Sequence, residues 1–208
     1  MLQLYTPWDL KVTGSLPDTR GMGISNSLSN HFLIAMPALD DPNFHHTTTY
    51  ICEHDEDGAL GVVINRPLNM RLIDFFKHMD IKPGSDETSS WPVYMGGPVQ
   101  SDRGFVLHQP SGDWEATLKV TDKIGITSSR DILQAIAAGE GPEKAIVTLG
   151  YAGWGAGQLE QELAANTWLS GPASTTIVFD TPSEERWTAA AALLGVDLNL
   201  LSSDMGHA

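Results

Sequence analysis

The first third of the chain alternates short apolar runs with turn-forming residues. Residues 31–36 form an apolar run that Pro37 ends, and residues 47–54 and 60–65 are rich in the β-branched and aromatic residues that favour strands. Residues 55–58, Asp-Glu-Asp-Gly, separate the last two runs and end in the Asp-Gly pair typical of a hairpin turn. We therefore predict an early antiparallel strand pair, and with it a mixed sheet rather than a purely parallel one.

Three later segments have the apolar spacing of amphipathic helices. The first starts at Leu72 and ends at Lys82-Pro83-Gly84, and the second starts at Ser128, a candidate cap, and ends at Gly139. The last begins at residues 181–184, Thr-Pro-Ser-Glu, which read as a capping box with proline at the first helical position. Their predicted buried faces are Leu72, Phe75, Phe76 and Met79; Ile132, Leu133, Ile136 and Ala137; and Trp187, Ala190, Ala191 and Leu194.

The remaining strands and helices interleave without a linker long enough to divide the chain. We therefore predict one domain over residues 31–208. Residues 1–30 lack a sustained period and are rich in Gly, Ser, Thr, Pro and Asn. We therefore expect a flexible extension there, either disordered or draped on the domain, with Met22 as an alternative start. The further predicted elements are strands at 93–95, 104–108, 116–120, 123–127, 145–149 and 175–179, and a helix at 158–165.

The composition disfavours several classes of function. The 208 residues include 12 Lys and Arg against 26 Asp and Glu, giving a formal net charge of −14, and no two basic residues are adjacent. Direct nucleic-acid binding depends on basic residues that neutralise phosphates, so it is disfavoured. No run approaches the roughly 18 apolar residues of a membrane helix. Cys52 is the only cysteine and no secretory signal pattern is present, which favours a cytoplasmic protein.

Motifs that would carry catalysis, a cofactor or a metal fail on their spacing. Residues 150–157 contain four glycines, but Gln158 stands where a dinucleotide fingerprint needs its third glycine. We interpret these glycines as allowing tight backbone turns under Trp154. Cys52 and His54 would share a strand face with their Cα atoms ~6.5–7 Å apart, too far for an assured hydrogen bond. The histidines lack metal-binding spacing. We predict no catalytic residue, no cofactor and no metal ion.

Six segments stand out together: HFLIAMP at 31–37, YICEH at 50–54, GVVINRP at 61–67, GGPV at 96–99, RGFVLH at 103–108 and LGYAGWGAGQLE at 149–160. In this order they resemble the YqgE/AlgH family over residues 31–195. The resemblance implies a single α/β domain with a strongly bent, partly barrel-like mixed β-sheet surrounded by helices. It also implies a bacterial cytosolic protein without an established enzyme activity. Some relatives are described as transcriptional regulators, which does not require contact with DNA. His45-His46 departs from the family, where an arginine is frequent.

Glycine or proline frames a polar side chain at three predicted strand ends, where binding groups are often found. These are Asn65-Arg66-Pro67, Gly96-Gly97-Pro98 and Arg103-Gly104. Arg66 and Arg103 could clamp one anionic group if the fold brings them together; the alternative is that each pairs with a nearby carboxylate. The predicted ligand- or partner-binding residues are Asn65, Arg66, Gly96, Gly97, Arg103, His108 and Trp154.

Three functional hypotheses follow. The preferred one is a non-catalytic cytosolic binding or regulatory module that acts through a protein partner or a small anionic ligand, including indirect transcriptional regulation. The second is an enzyme with a pocket near Arg66, Arg103 and His108, in which His108 or Cys52 reacts; burial of both reactive groups in apolar surroundings would end it. The third is a direct DNA-binding regulator, which the net charge of −14 disfavours.

Overall fold

Ten β-strands form one sheet in the computed structural model, which describes residues 27–83 and 86–203. The main path of the sheet runs β10-β1-β2-β3-β9-β6-β8-β7, while β5 pairs with β9 and β4 with β5. The β5–β9 pair is parallel and the other pairs are antiparallel, which confirms the predicted mixed sheet. The strands are β1 His31–Ala35, β2 Thr48–Asp55, β3 Gly58–Val63, β4 Pro67–Arg71, β5 Pro92–Met95, β6 Val99–Gln109, β7 Thr117–Lys119, β8 Gly125–Thr127, β9 Lys144–Gly155 and β10 Trp168–Pro172.

The long strand β9 connects the two halves of the sheet. Its residues 152–155 pair with β3, its residues 147–149 pair with β5, and β6 lies along its other edge. Gly150 lies between the two pairings with φ of +71°, a left-handed conformation that glycine adopts without steric cost. The result is a single α/β domain built on a curled half-barrel sheet, as the family resemblance implies.

Helices cover both faces of the curled sheet. Alternate residues of β1 enter different cores: Phe32 and Ile34 face an inner core, and Leu33 and Ala35 face an outer one. The π-helix, α5 and α6 cover the inner core, whereas α1 and α3 cover one half of the outer face and α4 the other. No helix of the described residues is long and apolar enough to cross a membrane. The helices are α1 Leu72–His78, α2 Asp86–Ser89, α3 Arg130–Ala138, α4 Gln158–Ala164, the π-helix Thr176–Asp180, α5 Arg186–Leu193 and α6 Leu198–Ser203.

Most of the predicted elements are confirmed. The acidic turn before Gly58 joins β2 and β3 as an antiparallel hairpin. Leu72, Phe75 and Phe76 are buried on α1, and the four predicted apolar residues of α3 are buried before a left-handed Gly139 ends that helix. Short apolar runs and 3.6-residue periods therefore determine these elements locally.

Residues 175–179, predicted as a strand, instead form the π-helix Thr176–Asp180. The prediction relied on β-branched residues, but the neighbouring Ile177 and Val178 are both buried, whereas a strand would direct them to opposite faces. The Thr181 N–H donates to the Thr176 carbonyl at 2.9 Å, the five-residue spacing of a π-helix. Burial of both side chains over the inner core therefore overrides strand propensity.

Two predicted helix starts were also wrong. The last helix, α5, begins at Arg186 rather than Thr181, because the Arg186 side chain binds the Thr181 carbonyl and the Ser183 hydroxyl donates to Glu184 instead of capping. At α3 the cap position is Ser129, since the Ser128 hydroxyl accepts a hydrogen bond from Arg103. At both helix starts, the side chain predicted to cap has another hydrogen-bond partner.

The structure describes the last four residues of the expected N-terminal extension, and residues 1–26 lie outside the described residues. Leu28 N–H donates to His54 Nδ1 at 2.9 Å, and Asn30 N–H donates to the Ile51 carbonyl at 2.9 Å. The Tyr50 hydroxyl donates to the Asn30 side chain at 2.8 Å. Residues 27–30 are therefore hydrogen-bonded to strand β2 rather than separate from the domain.

Candidate functional site

Asn65 and Arg66 anchor the surface loop between β1 and β2. The Asn65 amide accepts from Thr48 N–H and donates to the His46 carbonyl, both at 2.9 Å. Arg66 donates to the Pro42 carbonyl at 2.6 Å and to the His45 carbonyl at 2.9 Å. The guanidinium group thus binds backbone carbonyls rather than a carboxylate, and these contacts fix the loop conformation.

Gly96 and Gly97 allow three backbone segments to approach closely. A Cβ atom at Gly97, where φ is +154°, would collide with the main chain of Tyr151. Gly96 N–H donates to the Leu149 carbonyl at 2.7 Å, and the Gly96 carbonyl accepts from Val63 N–H at 2.8 Å. These two predicted site residues therefore have a packing function where β5 ends.

Arg103 has partners different from those of Arg66. Its guanidinium donates to the Ser128 hydroxyl at 2.9 Å and lies 5.5 Å from the centre of the Phe105 ring. Burial lowers the pKa of Arg103, and Tyr151 opposes that shift. Two strands, β5 and β9, lie between the backbone of Arg66 and that of Gly104, the neighbour of Arg103. The two backbones are therefore three strand spacings apart, about 14 Å across the sheet. We find no contact that brings Arg66 and Arg103 together on one ligand.

His108 is a fully buried histidine whose ring nitrogens both have partners. Nδ1 donates to the Pro110 carbonyl at 2.8 Å, so the neutral ring accepts at Nε2 from the Thr127 hydroxyl, also at 2.8 Å. Burial lowers the pKa of His108, and the Pro110 hydrogen bond opposes that shift. The ring is therefore a neutral structural group without access to a substrate.

Cys52 and His54 do not form a reactive pair. Cys52 is 2% exposed, and burial raises the pKa of its thiol, which stays protonated. The His54 ring accepts from Leu28 N–H at Nδ1 and donates from Nε2 to Glu160 Oε1 at 2.8 Å. Because Cys52 and His108 are both buried, neither is accessible as the reactive group that the enzyme hypothesis requires. Among the described residues, no three His, Cys, Asp or Glu side chains could together hold a metal ion.

Trp154 belongs to an aromatic cluster on the outer face. Its indole N–H donates to Glu162 Oε2 at 2.9 Å, and the Trp168 indole N–H donates to the same oxygen at 2.8 Å. The Phe44 ring packs against both indoles, with centroid distances of 6.3 and 5.4 Å. Trp154 is only 6% exposed, so this predicted binding residue is part of the core.

The sequence did not reveal a cavity that lies between β5, the start of β9, the π-helix and α5. Its volume is about 270 Å³, close to the lower end of the ~300–1,000 Å³ usual for ligand pockets. Arg186 borders the cavity with 4% of its surface exposed. Aromatic rings and two further charged residues complete most of the wall: Trp91, Tyr94, Phe179, Glu143 and Lys144.

Arg186 is held in position by the backbone and by Tyr94. Its Nε donates to the Thr181 carbonyl at 2.9 Å and its Nη1 to the Ile64 carbonyl, while the guanidinium carbon lies 5.4 Å from the Tyr94 ring centre. Burial lowers the pKa of Arg186, and Tyr94 and Glu184 oppose that shift. The described residues place no carboxylate oxygen within 4.0 Å of this guanidinium.

Lys144 differs from Arg186 because it already has a counter-ion. Its ammonium group lies 2.7 Å from both carboxylate oxygens of Asp180, the last residue of the π-helix.

One sequence signal could have indicated Arg186: it precedes the buried Ala190 by four residues, which places an arginine on the apolar face of α5. The cavity itself could not be predicted, since its wall combines segments about 50 and 90 residues apart.

The fold and this site define a mixed α/β protein with a small, partly apolar cavity beside a buried cation. The chain belongs to the AlgH-like family, whose model matches residues 32–199. It is 60% identical over 179 residues to a UPF0301 protein of Nitrosococcus oceani, covering 86% of this chain and 96% of that protein. It is 56% identical over 187 residues to a UPF0301 protein of Thioalkalivibrio sulfidiphilus, covering 90% and 100%.

Solved structures show the same fold. The solution structure of the AlgH protein from Pseudomonas aeruginosa is 49% identical, with a TM-score of 0.73 over 90% of this chain and 100% of that one. A protein from Corynebacterium diphtheriae shares the fold at 18% identity, with a TM-score of 0.64 over 84% and 91%. None of these four relatives is named for a catalytic activity.

Proposed function

We propose that this protein is a non-catalytic binding module that takes a small anionic molecule in the cavity beside Arg186. The observation that carries the proposal is a buried guanidinium group without a carboxylate partner among the described residues. A charge removed from water is costly unless it is paired, and buried arginines are accordingly found with carboxylates or phosphates. A bound anion would supply the missing counter-charge.

The chemistry of the cavity wall supports binding rather than catalysis. Lys144 is held by Asp180, so its amine is not the free, desolvated base that catalysis by lysine requires. Glu143 is exposed to solvent rather than enclosed beside the cavity's buried groups. The Tyr94 ring centre lies 5.4 Å from the Arg186 guanidinium carbon, which places an aromatic ring rather than a reactive group beside the proposed anion site.

A regulatory role fits this module better than direct contact with DNA. The net charge of −14 opposes a phosphate backbone, so we propose that occupancy of the cavity is passed on through a protein partner. The single cysteine, which is free and buried, supports our placement of the protein in the cytoplasm.

Calorimetric titration of the full chain tests the proposal. Acetate, benzoate and inorganic phosphate are titrated into the unmodified protein and into R186Q. Loss of a charge-assisted hydrogen bond costs ~1.5–3 kcal/mol, so R186Q should weaken binding about 10- to 150-fold. Native mass spectrometry of protein purified from its own cytosol should show a retained small mass.

R66Q is the matched control, because Arg66 also donates to two backbone carbonyls but lies outside the cavity. Its affinities for the three anions should equal those of the unmodified protein. If no anion binds, or if R66Q lowers affinity as much as R186Q does, the proposal is wrong.

A further inference from the structure

We infer that the ligand is an organic acid with one negative charge and an aromatic or apolar body, rather than a phosphorylated molecule. The inference rests on the proposed anion site at Arg186 and concerns which class of anion that site selects. Three properties of the cavity carry it: the balance of charges on the wall, the aromatic rings and the volume.

Of the two basic side chains on the cavity wall, Arg186 is the one without a carboxylate in direct contact among the described residues. Lys144 is neutralised by Asp180 through two contacts of 2.7 Å, whereas Arg186 lacks a carboxylate within ion-pair distance among the described residues. Glu143, a further member of the wall, is negative. Glu184 acts on Arg186 only at longer range. A single carboxylate on the ligand would therefore give Arg186 a direct counter-ion, while a second negative charge would meet Glu143 and Asp180 without a free cation to offset it.

The remaining wall is suited to an apolar body. The rings of Trp91, Tyr94 and Phe179 and the side chain of Ile146 line the cavity. Flat rings prefer offset-stacked or edge-to-face contact with other aromatic rings, which adds to the gain from burying apolar area. Tyr94 also contacts the charged group, because its ring centre lies 5.4 Å from the Arg186 guanidinium carbon. The arrangement places a carboxylate-binding group directly beside an apolar wall.

The volume of the cavity favours a small ligand. About 270 Å³ lies slightly below the ~300–1,000 Å³ usual for ligand pockets. This space admits a single ring with a short acidic side chain. A nucleotide or a dinucleotide would leave most of its base, sugar and phosphates outside a cavity of this size.

The test compares matched probes by calorimetry at pH 8 with the full chain. Phenylacetate should bind at least about tenfold more tightly than acetate, because only its ring contacts the aromatic wall. Phenylacetamide, which has the same shape without the charge, should bind at least about tenfold more weakly than phenylacetate. Phenyl phosphate is a dianion at this pH and should also bind at least about tenfold more weakly.

Two variants separate the charge argument from the ring argument. D180N removes the counter-ion of Lys144 at an exposed position, so phenyl phosphate should gain about tenfold while phenylacetate changes less than about threefold. F179L reduces the aromatic wall, so phenylacetate should lose about threefold to tenfold while acetate is unchanged. Phe179 lines the cavity and Asp180 contacts the lining residue Lys144, and both substitutions leave Arg186 in place.

The outcomes distinguish the two proposals. If phenyl phosphate binds the unmodified protein more tightly than phenylacetate does, and R186Q abolishes that binding, the anion site stands and the inferred ligand class is wrong. If phenylacetamide binds as well as phenylacetate, or D180N leaves phenyl phosphate unimproved, the charge argument is wrong. If acetate, benzoate, inorganic phosphate, phenylacetate and phenyl phosphate all fail to bind, the proposed function fails with it.

Discussion

Replacing Glu162 with alanine tests how much one carboxylate stabilises the outer face of the sheet. Its Oε2 accepts the indole N–H groups of Trp154 and Trp168 at 2.9 and 2.8 Å, and its Oε1 accepts from Gln158 at 2.9 Å. Both indoles are buried, at 6% and 4% exposure. A buried donor left without an acceptor costs about 1–3 kcal/mol. Glu162 is only half-buried, so in E162A water can reach part of the space that the carboxylate leaves and can accept from the indole N–H groups. We therefore expect E162A to lose about 2–4 kcal/mol in the free energy of unfolding.

Urea denaturation measures this loss as a lower midpoint at an unchanged slope. E160A is the control on the same helix. The Glu160 side chain is exposed and contacts His54, so E160A should lose less than about 1 kcal/mol in the free energy of unfolding. In a W168F background, E162A should cost about 1–2 kcal/mol less than in the unmodified chain, because one of the two donors is gone. A loss for E162A no larger than for E160A, or equal losses in the two backgrounds, would refute the reasoning.

Three further predictions concern buried groups. Burial lowers the pKa of His108, whereas the ring in the unfolded chain takes up a proton near pH 6.5. The free energy of unfolding should therefore fall as the pH decreases below about 6.5, and a pH series of urea denaturations should show a smaller fall for H108Q. Cys52 is 2% exposed with a raised pKa, so a disulfide reagent such as DTNB should titrate one thiol after denaturation and none before it. Gly150 has φ of +71°, and a Cβ atom there would collide with the Gly97 carbonyl. G150A should therefore lose about 1–3 kcal/mol in the free energy of unfolding, measured by urea denaturation. A loss below about 0.5 kcal/mol would show that alanine is not strained at this position.

The elements that the sequence predicted well are those whose burial is decided locally. The stripe at Leu72, Phe75 and Phe76 specifies α1 because helical spacing alone places these side chains on one face. Residues 176–180 could not be predicted in the same way. Their β-branched composition favours a strand, but their structure depends on the inner core that Ile177 and Val178 cover.

The candidate site depends even more on tertiary structure. The sequence shows that residue 186 is an arginine, but not where its side chain lies. That position depends on hydrogen bonds to the carbonyls of Thr181 and of Ile64, which is 122 residues earlier in the chain. Arg66, which sequence context favoured, uses its donors on the nearby loop. Adjacent glycine and proline indicate where backbones turn or meet; whether an arginine there faces a ligand or a carbonyl depends on segments that the local pattern does not include.

The motifs that carry the family resemblance meet where the sheet divides. On one edge of β9 the partner changes from β5 to β3, and the backbones of residues 63–66, 95–97 and 149–151 come together there. Arg66 O accepts from Met95 N–H, and Gly96 bonds to both Val63 and Leu149. Side chains at Gly96, Gly97 or Gly150 would collide with the neighbouring strands, so glycine at these positions permits the junction and the curl. Because that curl places β5 and the start of β9 opposite α5, the junction also positions Tyr94 and Lys144 around Arg186. The family motifs thus shape the cavity without lining it.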